Sequence, residues 1–536
     1  MSESRIAPHV TTGETLLPSA EAPPPADAPP EPAPVAGRGR LLLRDSGIYL
    51  IGNLMQKATA FVLIPLYTRA LSTAQYGLLD LANTVVNLLL IVAALGVPAA
   101  INKCYHRDCR DDADRERLAG TAFLFTIGAT GGLALVGWAL EGRLAGVLFH
   151  GPEGLLVYRY TLAWLVLAQL ASISFEWVRA AGRSSLYVGF SLIQLAVQFV
   201  CIVVLVHWFD MGLAGVLAGN VAGLVAVNLI GGLVVARRSK WTIDRRLLAA
   251  MASFGMTMIP VFVSGWVVNV SDRFFVQSMV GLGALGIYAL GYKFGALVDL
   301  LIVMPFQRAW TPIFFQMAGD PRAPQFLARV TTYLAGGMGL ASLAVILAVP
   351  PLLRLIASPD FLGASRVVPL ICLAYTLGGI ANCLGNGLIV AGKVRLIAAY
   401  ALVAGLANLA LNFLLIPWMG VYGAAIATVL AFAVQLGGIL ASLSRYYPVR
   451  LDWRRVSGLI ASCLAPYLAS CALPALPLVP DLALRLALFA ACPLLIVALR
   501  LVSAEEIADG RRLLAGWGLV PGASRATGGS GPSGPS

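Results

Sequence analysis

Asp80, Asn83, Thr84 and Asn87 fall at i, i+3, i+4 and i+7 inside an otherwise apolar stretch, the spacing of one helical face. Similar stripes recur elsewhere. Asn53 and Lys57 share a face, as do Asn269, Asp272 and Arg273, and then Tyr288, Tyr292, Gly295 and Asp299 with Lys293 nearby. A charge held among apolar side chains at mid-bilayer depth costs at least a few kcal/mol, so it is normally retained for function. Groups of both signs in such a place can bind ions, exchange them or pass protons. Covalent or metal chemistry fits less well. The eight cysteines, Cys104, Cys109, Cys201, Cys372, Cys383, Cys463, Cys471 and Cys492, contain no C-x-x-C pair and read as small apolar packing residues. His9, His106, His150 and His207 lie far apart, whereas zinc or a catalytic triad needs converging ligands. No catalytic residue, metal or other cofactor is therefore expected.

Two nucleotide motifs fail on context. Gly281, Gly283 and Gly286 satisfy G-x-G-x-x-G but follow no strand. Gly387, Gly392 and Lys393 approach a phosphate loop, yet Val394 stands where Ser or Thr must hold magnesium. Neither is expected to bind nucleotide, and no domain is present to hydrolyse it.

The elements that carry these stripes are long apolar runs. The chain is 59% hydrophobic and 12% charged, against about 25% charged for a soluble domain. At roughly 20 apolar residues per crossing, about fourteen spans fit, centred near Ala58, Leu90, Thr130, Val166, Val197, Val221, Phe262, Ala296, Leu340, Gly378, Ala407, Val429, Leu464 and Phe489. Continuous apolarity with internal Gly and Pro suits helices, since barrel strands alternate in polarity at period two. The expected class is an all-α polytopic integral membrane protein.

Positive loops stay cytoplasmic, and with an inside N-terminus every second connection is rich in Lys and Arg. The inner set runs through Arg38 to Arg44, Lys103 to Arg117, Arg179 and Arg183, Arg237 to Arg246, Arg322 and Arg329, Lys393 and Arg395, Arg445 to Arg455, and Arg500 to Arg512. The outer turns keep Arg69, Arg143, Arg159, Arg354, Arg366 and Arg485. Both termini are thus expected in the cytoplasm. The net charge of +12 follows from topology, and no nucleic-acid partner is implied, because the charges are spread along one membrane face.

An internal repeat organises the spans. Ala181-Gly182-Arg183 matches Ala391-Gly392-Lys393, Trp208, Gly212 and Gly215 match Trp418, Gly420 and Gly423, and Tyr76-Gly77-Leu78-Leu79 resembles Leu285-Gly286-Ile287-Tyr288. The separation stays near 209 residues, so six spans recur as a second six in the same orientation, a pattern of many carriers. Expected boundaries are a Pro/Ala-rich disordered tail at 1–40, a first six-helix lobe at 41–246, a second at 247–445, an extra helix pair at 446–502, and a C-terminal tail at 503–536, flexible at its Gly/Ser/Pro-rich end.

In this order, Ser46-Gly47-Ile48-Tyr49, Pro65-Leu66-Tyr67-Thr68-Arg69, Gln75-Tyr76-Gly77-Leu78, Asp272-Arg273-Phe274-Phe275, Ala284 to Tyr288 and Ala391-Gly392-Lys393 resemble the polysaccharide transporters of the MOP superfamily, which include O-antigen and other lipid-linked oligosaccharide flippases. The resemblance implies two six-helix lobes packed as a V, with spans 1, 2, 7 and 8 lining a lumen. It also implies an undecaprenyl-pyrophosphate-linked sugar turned from the cytoplasmic to the periplasmic leaflet of the bacterial inner membrane by alternating access. Lys57, Arg273 and Lys293 would supply a cationic passage, and Asp80, Asp272 and Asp299 would tune it or carry a coupling proton or cation. Asn53, Asn83, Asn87, Asn269 and Tyr292 complete the expected pathway. Partners would be membrane lipids, the lipid-linked oligosaccharide and other polysaccharide-assembly proteins. A cation-coupled multidrug exporter of the MATE type and a lipid II flippase are the alternatives within transport, and a membrane polysaccharide polymerase or ligase is the alternative in another class. Counted along the helices, Lys293 and Asp299 are expected deep in the apolar layer, with Asp80, Asp272 and Arg273 nearer the outer surface.

Overall fold

The computed structural model describes residues 61–93, 95–474 and 476–501. Asn53, Lys57, most of the span near Ala58 and both tails lie outside the described residues. Within them the chain is helical, with no strand. Twelve helices among the described residues are long and apolar enough to cross a bilayer. A further helix, Trp453–Cys471, has 19 residues and corresponds to the span read near Leu464. With the segment near Ala58, the all-α reading of about fourteen spans stands.

In chain order the first half holds α1 (Ile64–Ala70), α2 (Thr73–Ala93), α3 (Val97–Lys103), α4 (Asp112–Ala139), α5 (Glu141–Leu148), α6 (Gly154–Ala180), α7 (Ser184–Val203) and α8 (Gly212–Ala236). The second half holds α9 (Arg245–Val270), α10 (Asp272–Met279), α11 (Leu282–Gly295), α12 (Met304–Gln316), α13 (Ala323–Ile356), α14 (Val368–Val390), α15 (Val394–Met419) and α16 (Val421–Tyr446). Two more follow, α17 (Trp453–Cys471) and α18 (Leu478–Ala498). A π-helical turn, Asp299–Val303, joins α11 to α12.

The two ends of the bundle differ chemically. At the arginine-rich end three helices start with an aspartate cap: Asp111 accepts from Asp114 N at 2.7 Å, Asp244 from Arg246 N at 2.9 Å, and Asp452 from Arg455 N at 3.1 Å. Such carboxylates satisfy amide donors left open at a helix start and favour its positive dipole end. At the opposite end α5 carries Glu141, which accepts two hydrogen bonds from Arg159 at 3.0 and 2.8 Å. Those bonds hold the Glu141 carboxyl below the usual glutamate range.

Packing between helices relies on small residues that let backbones approach. One large buried cluster joins helices of both halves, from Leu63 to Leu443. A second gathers Val97, Leu118, Ile173, Tyr187, Leu247 and neighbours toward the arginine-rich end. The last two helices pack on α13 through Leu343, Leu347, Cys463, Tyr467 and Cys492.

Near the arginine-poor end α18 is tied to α13 by a buried carboxylate. Asp481 on α18 is 1% exposed and meets Arg354 Nη1 at 3.1 Å and Arg485 Nε at 2.7 Å. Breaking a buried pair costs about 3–5 kcal/mol, less where one partner keeps water. The Arg354 side chain is 37% exposed. Asp481→Ala is therefore expected to lower stability by about 2 kcal/mol, read as a lower melting temperature in detergent and faster proteolysis between α17 and α18.

Candidate functional site

Between the halves, at the arginine-poor end, α2 and α11 cross almost backbone to backbone. A Cβ on Gly77 would overlap the Leu282 carbonyl oxygen, and one on Gly286 would overlap the Thr73 carbonyl oxygen. Glycine at both positions is thus a steric requirement. Other links tie the halves at this end: Arg69 Nη2 donates to Leu355 O at 3.2 Å, and Gln277 Nε2 to Leu148 O at 3.3 Å.

About 4.5 Å further along α2, at 1.5 Å per residue, lies Asp80. Its carboxylate meets two cations from the second half, Arg273 Nε at 3.5 Å and Lys293 Nζ at 3.7 Å. Arg273 also pairs with Asp272 at 2.6 Å and donates to Asn269 O at 2.6 Å. The Tyr288 hydroxyl donates to the other oxygen of Asp272. Lys293 Nζ donates to Tyr76 OH at 3.0 Å and lies 4.8 Å from the centre of that ring. The Arg273 guanidinium sits 4.0 Å from the Tyr292 ring centre, and Tyr375 OH donates to Tyr292 OH at 3.3 Å. Faces of tyrosine rings attract cations most strongly once water is removed.

Most of these groups are withdrawn from solvent, the Lys293 side chain less so at 27% exposed. Asp272 is 0% exposed, and Asp80 and Arg273 are 6% each. Asp272 and Arg273 are both enclosed between helices. The Lys293 ammonium, expected deeper in the layer, nevertheless reaches Asp80 at 3.7 Å. Side chains on a helix lean toward its N-terminus, which on α11 carries the long lysine arm back up toward the glycine crossing.

Two cations face two carboxylates, so the cluster balances, yet the ion pairs that Asp80 makes between the halves are the loose ones. Asp80 Oδ2 and Arg273 Nε face each other at 3.5 Å and neither atom completes a hydrogen bond. The tight bonds run within the second half, apart from the one Lys293 Nζ donates to Tyr76 OH at 3.0 Å.

The remaining expected residues separate by face. Thr84 is buried with Asp80, whereas Asn83 and Asn87 are exposed, the Asn87 amide bonding back to Asn83 O at 2.8 Å. Carboxamides so placed in a span suit a wet surface far better than lipid. Asn269 is half-buried and its amide donates to Gly265 O at 2.8 Å. Asp299 is half-buried and opens the π turn, a helix defect common at functional sites. Asn53 and Lys57 lie outside the described residues.

Sequence reasoning passed over Tyr76 and Tyr375 as site residues. Tyr76 is fully buried and precedes Asp80 by four positions, which was the available signal. For Tyr375 the sequence offers none, since its role depends on α14 packing beside α11.

At the arginine-rich end α9 closes against the break between α2 and α3. Gly96 adopts φ +69°, and a Cβ on Gly255 would overlap the Leu95 carbonyl oxygen. The site therefore has a backbone seam between halves at each end.

This architecture has known counterparts. Lipid II flippase MurJ in an inward closed conformation superposes with a TM-score of 0.65 at 11% identity, covering 84% of this chain and 98% of MurJ. An inward-facing multidrug resistance MATE family transporter of the MOP superfamily gives 0.58 at 14% identity, covering 75% and 95%. At such identities the likeness is one of fold. Among curated sequences, Lsg locus putative protein 1 of Haemophilus influenzae is 23% identical over 280 residues, 51% of this chain and 66% of that protein. An uncharacterized membrane protein of the same organism is 22% identical over 283 residues, covering 51% and 65%. The chain thus spans somewhat less than two thirds of these relatives' length. The sequence model described as "Polysaccharide biosynthesis protein" matches residues 42–318, more than half of the 536 residues, and the chain belongs to that family.

Proposed function

We infer that this protein is a flippase. It turns an undecaprenyl-pyrophosphate-linked oligosaccharide from the cytoplasmic to the periplasmic leaflet of a bacterial inner membrane, in exopolysaccharide or O-antigen assembly, and makes or breaks no covalent bond. Residues 41–246 and 247–445 act as two lobes that rock about the site, with 446–502 as an added helix pair and both termini in the cytoplasm.

The observation that carries this reading is the ionic cluster bridging the halves beneath the glycine crossing. Asp80 holds Arg273 and Lys293 at 3.5 and 3.7 Å, distances at which an arriving pyrophosphate can replace it. Guanidinium–phosphate bonds are charge-assisted and often bidentate. Once the cations turn to the phosphate, the links of Asp80 to Arg273 and Lys293 and of Tyr76 to Lys293 are released and the outer seam is free to open. Asp80 and Asp272 keep the cations neutralised while no substrate is bound, and Asp80, Asp272 or Asp299 would carry any coupling ion. Moving one negative charge outward is favoured by about 2.3 kcal/mol per 100 mV, so no ATP is needed.

A MATE-type exporter of cationic drugs fits less well, because the buried cluster offers cations as well as carboxylates. A lipid II flippase shares the chemistry and differs in cargo. The test is deletion of the gene followed by extraction of lipid-linked sugars. Accumulation of one oligosaccharide diphospholipid on the cytoplasmic leaflet, with loss of a surface glycan, is expected. Accumulated lipid II would assign the other cargo, and an accumulated drug with normal glycan would end the flippase reading.

A further inference from the structure

Away from the site between the halves, an open polar depression lies at the arginine-rich ends of α13 and α17, with Arg329 and Arg450 exposed along it. The two helices are held close by Gly336 against Leu459 and Gly339 against Cys463. Beside this crossing the depression forms an open cavity of about 180 Å³, lined by Arg329 and Thr332 of α13 and by Arg450, Asp452 and Arg455 around the start of α17. Asp452 is already engaged: Oδ1 caps the helix and Oδ2 lies 3.4 Å from Arg455 Nε. Among the described residues of the lining, three guanidinium groups accompany one carboxylate. Among the described residues, neither Arg329 nor Arg450 has an acidic side chain within ion-pair distance. The start of α17 adds the positive end of a 19-residue helix.

We propose that this cavity binds the phosphodiester headgroup of an anionic membrane phospholipid, with Arg329 and Arg450 as its ligands. Basic pockets between transmembrane helices at this level hold such headgroups, and the guanidinium fork matches phosphate oxygens. A lipid is preferred to free phosphate because the cavity adjoins surface made for one. Trp453, 62% exposed, marks the membrane–water boundary favoured by indole. On its face of α17 follow Ile460, Leu464 and Leu468, which are 60%, 46% and 56% exposed, a stripe along which an acyl chain can lie. The bound lipid ties α17 to α13. This inference does not depend on the nature of the cargo.

The experiment is native mass spectrometry of the delipidated full chain with phosphatidylglycerol, phosphatidylcholine or inorganic phosphate. Phosphatidylglycerol is expected to be retained at least tenfold better than phosphatidylcholine. R450Q, altered in the connection ahead of α17 where folding is little affected, and R329Q are each expected to remove that preference, while R237Q/R238Q keeps it. Equal retention of both lipids, an unchanged preference in R450Q and R329Q, or an equal loss in R237Q/R238Q would overturn the site. Protection against thermal unfolding by inorganic phosphate as strong as that by lipid would reassign it to a free anion and overturn the lipid. Leu501 packs on Gly458, and Glu505 and Glu506 follow it in the sequence. Lipid binding seen in E505Q/E506Q but absent from the native chain would give the cavity to them and overturn the proposal.

Discussion

A Lys293→Ala chain is expected to insert and accumulate normally while delivering no surface glycan. Its ammonium group is the more accessible of the two described cations at the site, with 27% of the side chain exposed against 7% for Arg273. Removing it leaves Asp80 still facing Arg273 at 3.5 Å, so no carboxylate is stranded and the stability cost stays small. The cargo loses more. A charge pair at 4 Å is worth about 4 kcal/mol at an effective dielectric of 20, on the order of a thousandfold in occupancy. Lys293→Arg should restore part of the export and Lys293→Met none. Arg273→Ala provides the contrast: it leaves Asp272 and its share of Asp80 buried without a cation, a loss of about 3–5 kcal/mol, so protein level should fall along with export. Undiminished glycan from both Lys293→Ala and Lys293→Met would remove the case for a cationic passage.

The second large effect is expected from Gly286→Leu. No side chain fits where Gly286 meets the Thr73 carbonyl oxygen, so the arginine-poor seam cannot close as described. Overpacking of this kind costs about 1–3 kcal/mol if the helices must stay together, and parting relieves it. The variant should remain folded, lose export by at least tenfold, and expose Leu79→Cys, introduced into a cysteine-free chain, to a membrane-impermeant thiol reagent added from the periplasmic side. Gly255→Leu should do the converse by disturbing the seam beside Leu95. If Leu79→Cys stays as protected with Gly286→Leu as without it, the crossing is not a gate.

The spans were legible because apolar length identifies twelve of them among the described residues, while α17, whose start carries Arg454 and Arg455, is less apolar and was read from its run near Leu464. The ionisable residues of the site were legible by the same logic, since charge inside a span is costly. Their partnerships were not. Whether Asp272 and Arg273 reach water or meet Asp80 depends on how far α2 and α11 approach, and that is set by two glycines with no signature of their own. The reading of Asp80, Asn83, Thr84 and Asn87 as one stripe held in angle but not in surroundings, because α2 is contacted along one side of that stripe and open along the other. Gly286, dismissed as the last glycine of a nucleotide motif, proved to be needed for backbone approach.

The crossing of α2 and α11 also bears on origins. Thr73 and Leu282, like Gly77 and Gly286, are 209 positions apart, the period of the repeat, and each glycine faces the carbonyl of the other's partner. An element thus meets its own copy reciprocally, the rule of a two-fold homodimer interface. On the proposed duplication, two half-length chains would make the same closure through this crossing, and the mates Asp80 and Ala289, both nine-tenths buried, are one place where the two differ in charge.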